Sequence, residues 1–127
     1  MLAGIGVDIV AVERLRRILD GPAGEKFVQT VFAENETASS SDSVVHYATR
    51  FAIKEAVLKC FHVPLGEHGD FRAIEVCNDA AGAPQVSLHG RFEHLAAERG
   101  AVEVQVSVAY EDAYVIAVAA LTSSGER

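Results

Sequence analysis

The sequence predicts an α+β domain, with helices packed on a mainly antiparallel sheet. Three observations carry that prediction. Strand-like and helix-like segments follow one another as β-α-α-α-β-β-α-β-β, an order that fits α+β packing. The chain closes on two β-branched-rich runs joined at a short acidic turn, the pattern of an antiparallel hairpin. One long helical stretch, 43 to 61, runs through the middle with no Gly or Pro inside it.

Each element has its own signal. Residues 2 to 10 alternate as in a strand, with Ile5, Val7 and Ile9 on one face and Gly4, Gly6 and Asp8 on the other. Val12, Leu15, Ile18 and Leu19 fall at helical spacing over 11 to 19, and Gly21-Pro22 ends that helix. A short helix is expected over 24 to 31, then a polar loop from Ala38 to Ser43. Asp42 or Ser43 would cap the long helix, whose apolar stripe is Val44, Ala48, Phe51, Ala52 and Leu58. Pro64 and Gly66 stop it. FRAIEVCN (71 to 78) and QVSLHG (85 to 90) read as strands around the turn NDAAGAP. Residues 90 to 99 read as a helix ended by Gly100. The closing strands are 101 to 108 and 113 to 121, turning at Tyr110-Glu111-Asp112.

Bulk properties narrow the function. The 127 residues suit one domain, and 50% hydrophobic with 23% charged residues is a globular balance. No run approaches the roughly 20 apolar residues of a membrane span. The N-terminus lacks a basic flank and carries Asp8, unlike a signal peptide. A cytoplasmic location and no membrane partner are expected. Cys60 and Cys77 have no metal-ligand spacing and are expected as reduced thiols. His46, His62, His68, His89 and His94 are scattered, so no zinc site is expected. A net charge of −7 argues against nucleic acid. An acidic partner would need a local basic patch, and ERLRR, Glu13 to Arg17, is the densest cluster of basic residues.

Three places can carry chemistry. Asp8 is a carboxylate in an otherwise apolar strand and needs a donor, a cation or an edge position. Gly6, on the same face, either leaves space beside that carboxylate or meets a packing constraint. Phe51, Glu55 and Lys59 share one helical face, as a site or as a solvated pair worth about 0.2–0.5 kcal/mol. The turn in SVAYED, 107 to 112, collects two acids that turn chemistry alone explains.

Taken in order, GIGVDIV with a following Arg-bearing helix, RFAIKEAVLK, FRAIEVCNDAAGAPQVSLHG and SVAYED resemble the holo-acyl-carrier-protein synthases, from about residue 2 to residue 121. The resemblance implies the 4′-phosphopantetheinyl transferase fold. It further implies transfer of 4′-phosphopantetheine from coenzyme A to a serine of an acyl carrier protein, in a homotrimer with its sites between subunits. By the motif match, Asp8 and Glu55 would hold Mg²⁺, and Lys59 would meet the diphosphate, giving the catalytic set Asp8, Glu55 and Lys59. Magnesium suits this, being held by one or two carboxylates plus phosphates and waters. Coenzyme A contacts are expected from Arg50, Lys54, Lys59, His62 and Tyr110. Arg14 would contact the acidic carrier, and Arg17, one turn on and about 60° around the axis, could face the same partner.

Two segments depart from the family pattern. After the lysine, where the family has a loop of the type Ala-Leu-Gly-Thr-Gly, this chain reads Cys60-Phe61-His62-Val63-Pro64. The added bulk and the missing proline N–H alter how backbone amides could approach phosphate. Tyr110 stands in place of a histidine, Ala109 lacks a hydroxyl, and Glu111 stands where the family has an acid. These departures leave open a relative that keeps the fold and docks a carrier or a subunit without transferring the group.

Overall fold

A computed structural model describes residues 1–37, 43–63 and 70–123. The elements run β1 (Leu2–Ala11), α1 (Val12–Asp20), α2 (Gly24–Val31), a 3₁₀ turn (Glu34–Thr37), α3 (Val44–Cys60), a second 3₁₀ turn (Phe71–Ala73), β2 (Ile74–Asn78), β3 (Pro84–Leu88), α4 (Gly90–Glu98), β4 (Ala101–Glu111) and β5 (Tyr114–Ser123). The expected order holds, with boundaries displaced by a few residues. The expected sheet is in fact two: a three-stranded sheet in the order β1-β5-β4, and the separate hairpin β2-β3, both antiparallel. The Phe71 end of the predicted second strand turns as 3₁₀ before pairing begins. The closing hairpin turns at Asp112-Ala113, with Glu111 still paired to Tyr114. Asp112 takes the positive φ of 50° that a tight turn requires and that Asp tolerates.

The long helix α3 is the centre of the molecule. Ser43 caps it, its hydroxyl oxygen accepting from the His46 N–H; Asp42, the other expected cap, lies outside the described residues, as do most of the predicted 38–43 loop and the stop signals Pro64 and Gly66. Ala48, Ala52, Ala56 and Cys60 recur every fourth position and are fully buried. Their small side chains let the helix lie against the inner face of the three-stranded sheet, where Val10, Val115, Ala117, Ala119 and Leu121 are buried. Around the N-terminal half of α3, Phe27, Phe32, Tyr47, Phe51 and Phe71 form a chain of ring contacts with centroids 5.0–6.1 Å apart.

The outer face of the same sheet is apolar and uncovered. Ile5, Val7 and Ile9 are 60%, 55% and 57% exposed, and Tyr114, Ile116 and Val118 on β5 continue the surface. Thus the face of β1 that carries the large aliphatic residues points outward, and the face with Gly4, Gly6 and Asp8 points to α3.

Candidate active site

Position 6 shows why the strand needs glycines. A Cβ there would stand 2.0 Å from the Ala56 carbonyl oxygen, and one at Gly4 would stand 2.5 Å from that of Cys60. The α3 backbone therefore occupies the space beside β1, and the packing reading of Gly6 is the correct one. Strand and helix run in opposite directions at this contact. Two strand residues span about 6.6 Å and four helical residues about 6 Å, so Asp8 stands level with Ala52, within one turn of Glu55.

Lys59 closes the arrangement. Its Nζ donates to Asp8 Oδ1 at 3.1 Å and to the Val7 carbonyl at 2.9 Å. The Asp8 side chain is 14% exposed and that of Lys59 36%. The carboxylate has the cation its apolar strand demanded, yet keeps access to solvent. Beside Lys59, an open apolar groove is lined by Ile5, Gly6, Val7 and Val118. Asp8 and Glu55 offer only hard oxygen donors, the chemistry magnesium prefers. Among the described residues, no three acidic, histidine or cysteine side chains gather into a ready-made metal cluster. Two carboxylates are what a cation shared with substrate phosphates needs.

The remaining expected residues divide. Arg50 reaches across to β2, donating from Nη2 to Asn78 Oδ1 at 3.3 Å, while its Nε is buried with no acceptor among the described residues. His62 is exposed just past α3, in the left-handed region at φ 59°, where a helix usually ends in glycine. Arg14 and Arg17 are exposed on α1 and make no ion pair among the described residues, whereas Arg16 pairs with Glu13. Tyr110 lies on β4, with β5 between it and β1. Two interstrand spacings, about 10 Å, separate it from β1.

Lys54 is corrected outright. It is fully buried, and its ammonium donates to Glu36 Oε1, at 2.8 Å, and to the carbonyls of Phe71 and Ile74. Burial pushes its pKa down, opposed by the Glu36 charge. With all three protons engaged inside the protein, it has no donor to offer a coenzyme.

Sequence reasoning missed Glu36, Asn78 and Arg99. Glu36 is buried in a one-turn segment too short to show periodicity, and accepts from Ala33 N–H, Val76 N–H and Lys54. Arg99 follows α4 and caps the far end of α3, donating Nη1 to the Cys60 carbonyl at 3.0 Å and Nη2 to that of Phe61 at 2.8 Å. Nothing local in the sequence connects position 99 to positions 60 and 61.

Residues 4–119 match the 4′-phosphopantetheinyl transferase superfamily. The chain belongs to that family. A holo-[acyl-carrier-protein] synthase of Thermodesulfovibrio yellowstonii is 36% identical over 125 residues, covering 96% of this chain and 100% of its own. Among solved structures, the holo-[acyl-carrier-protein] synthase of Neisseria meningitidis superposes with a TM-score of 0.84 at 30% identity, covering 97% of this chain and 100% of that one. A Bacillus anthracis holo-(acyl-carrier-protein) synthase in complex with coenzyme A (3′,5′-ADP) superposes at 0.75, with 29% identity, 98% of this chain and 99% of that one. The α+β architecture is that of this family, and the chain is an enzyme of the holo-[acyl-carrier-protein] synthase type.

Proposed function

We propose that this chain transfers 4′-phosphopantetheine from coenzyme A to a serine of an acyl carrier protein, releasing adenosine 3′,5′-bisphosphate. The observation that carries the reading is the Asp8–Lys59 pair at 3.1 Å, with Glu55 within one turn of α3 by the register of the Gly6–Ala56 contact. Asp8 and Glu55 would hold Mg²⁺, which would supply neutralisation of the diphosphate charge. Lys59, partly exposed, meets the diphosphate on the leaving side. The serine oxygen attacks the phosphorus that bears the pantetheine arm, the bond to the nucleotide phosphate breaks, and the serine proton passes to water. Positioning and charge carry such a transfer.

Arg50 and His62 extend the site toward the rest of the coenzyme. The buried Nε of Arg50, which lacks an acceptor among the described residues, is what a residue awaiting an anionic ligand would show. Tyr110 is too far along the sheet to join Asp8 within one copy, so its contact comes from a neighbouring subunit. The uncovered apolar sheet face supports the same homotrimer, since monomers rarely expose contiguous apolar patches of this kind. Arg14 and Arg17 receive the acidic carrier. No described helix is long and apolar enough to cross a membrane. The cytoplasm is the proposed location by the family resemblance, and the net charge of −7 argues against a nucleic-acid partner.

The test is mass spectrometry of an apo carrier protein incubated with the enzyme, coenzyme A and Mg²⁺. The carrier should gain one phosphopantetheinyl group, and a carrier with its acceptor serine changed to alanine should gain none. Unchanged mass across fatty-acid, polyketide and peptide carriers, beside a working control enzyme, overturns the reading.

A further inference from the structure

The site lies at the wrong end of a helix. Lys59 is in the last turn of α3, where the backbone dipoles sum to a partial negative charge that disfavours anions; phosphates settle at helix N-termini instead. A diphosphate meeting Lys59 therefore needs that negative end cancelled.

The last carbonyls of α3 are disposed of in two ways. Those of Leu58 and Lys59 accept from the backbone N–H groups of Phe61, His62 and Val63. Those of Cys60 and Phe61 accept from the two terminal nitrogens of Arg99. Arg99 is half-buried, has no carboxylate partner among the described residues, and lies 5.3 Å above the Phe61 ring. Phe61 in turn packs on Phe92 of α4, with centroids 5.8 Å apart. Gly4 also presses against the Cys60 carbonyl. The guanidinium is thus fixed by packing, and its charge is spent on the helix end.

We propose that Arg99 is a positioning residue for anion binding: capping the Cys60 and Phe61 carbonyls, it neutralises the C-terminal end of α3 so that a diphosphate can bind beside Lys59. The inference rests on the reading of Lys59 as the diphosphate contact. Arg99 acts through the helix end and is not assigned a contact with the coenzyme.

The experiment is calorimetric binding of coenzyme A with Mg²⁺ at low and high salt, alongside thermal unfolding and steady-state kinetics, for wild type, Arg99→Met, Arg99→Gln and Arg99→Lys. Arg99→Met keeps the stem over Phe61 but loses the charge and both donors. It should bind coenzyme A about tenfold more weakly at low salt, the order of helix-end charge effects. The gap should narrow as salt rises. KM for coenzyme A should rise more than kcat falls, and Arg99→Lys should recover most of the affinity. Should Arg99→Met not fold, Arg99→Gln keeps N–H donors without charge and decides the matter. A folded neutral variant that binds like wild type, or a salt-independent deficit that lysine does not rescue, overturns the proposal and leaves only a structural cap. Wild type failing to bind coenzyme A is a different result, because it removes the reading of Lys59 as well.

Discussion

Glu36 and Lys54 pair at 2.8 Å with both side chains wholly withdrawn from solvent. Between them they join four segments, because Glu36 also takes the N–H groups of Ala33 and Val76, and Lys54 takes the carbonyls of Phe71 and Ile74. The pair ties α3 to both 3₁₀ turns and to β2, on the side of the helix away from the three-stranded sheet. Lys54→Met would leave a buried carboxylate without its cation and two carbonyls without a donor. It should cost about 3–5 kcal/mol in denaturant unfolding. Glu36→Gln combined with Lys54→Met should be more stable than the sum of the two single losses implies, since no buried charge remains. Strict additivity would mean the two side chains do not act as a pair.

The Gly6 contact gives a prediction of the opposite kind, in which nothing is removed. Gly6→Ala places a methyl 2.0 Å from a backbone oxygen and 3.0 Å from the Lys59 Cβ. A flexible neighbour could yield, but the Ala56 carbonyl cannot without shifting α3. The variant should lose about 3 kcal/mol, the upper part of the usual overpacking range. It should also lose transfer activity even where it stays folded, because Asp8 and Lys59 sit on the two surfaces pushed apart. An alanine variant of wild-type stability and activity would show that strand and helix are not held this closely.

Much of this was legible in the sequence because it is local. The alternation of β1, the helical spacing of α1 and the uninterrupted run of α3 are each written within a few residues. So is the placement of Glu55 and Lys59 on one face. What could not be read is long-range. Ile5, Val7 and Ile9 look like a core face, yet point outward because Gly4 and Gly6 admit the α3 backbone on the other side. Lys54, next to Glu55 in the motif, is rotated about 100° around the axis and into the interior, where Glu36, 18 residues earlier, awaits it. Arg99 caps carbonyls 38 and 39 positions away. Such pairings depend on how elements pack, and no periodicity announces them.

Asp8 separates function from stability. Its ion pair with Lys59 is partly solvent-exposed, and such pairs contribute little, about 0–1 kcal/mol. Asp8→Asn should therefore unfold within about 1 kcal/mol of wild type while its transfer rate falls at least a hundredfold, the size of effect typical of losing a group that stabilises transition-state charge. The Mg²⁺ concentration giving half-maximal rate should rise in the same variant. Parallel losses of stability and activity would instead assign Asp8 to the fold.

The two thiols should behave as opposites. Cys77 is exposed on β2, whereas Cys60 is fully buried, its Sγ donating to the Ala119 carbonyl at 3.3 Å. Burial pushes the Cys60 thiol up from 9.0 to about 11. A thiol reagent at neutral pH should modify one cysteine in the folded protein and two in denaturant, and Cys77→Ser should abolish the native-state reaction. The raised value also fixes a sign. Below pH 9 both folded and unfolded chains keep the proton, so Cys60 contributes no pH dependence. Between 9 and 11 the unfolded chain releases it while the folded chain holds it, and stability falls as pH rises. Two units correspond to about 3 kcal/mol. Wild type should lose roughly that much relative to Cys60→Ala over this window, as measured by urea unfolding at each pH. Parallel stability curves for the two proteins would place the Cys60 thiol in contact with water.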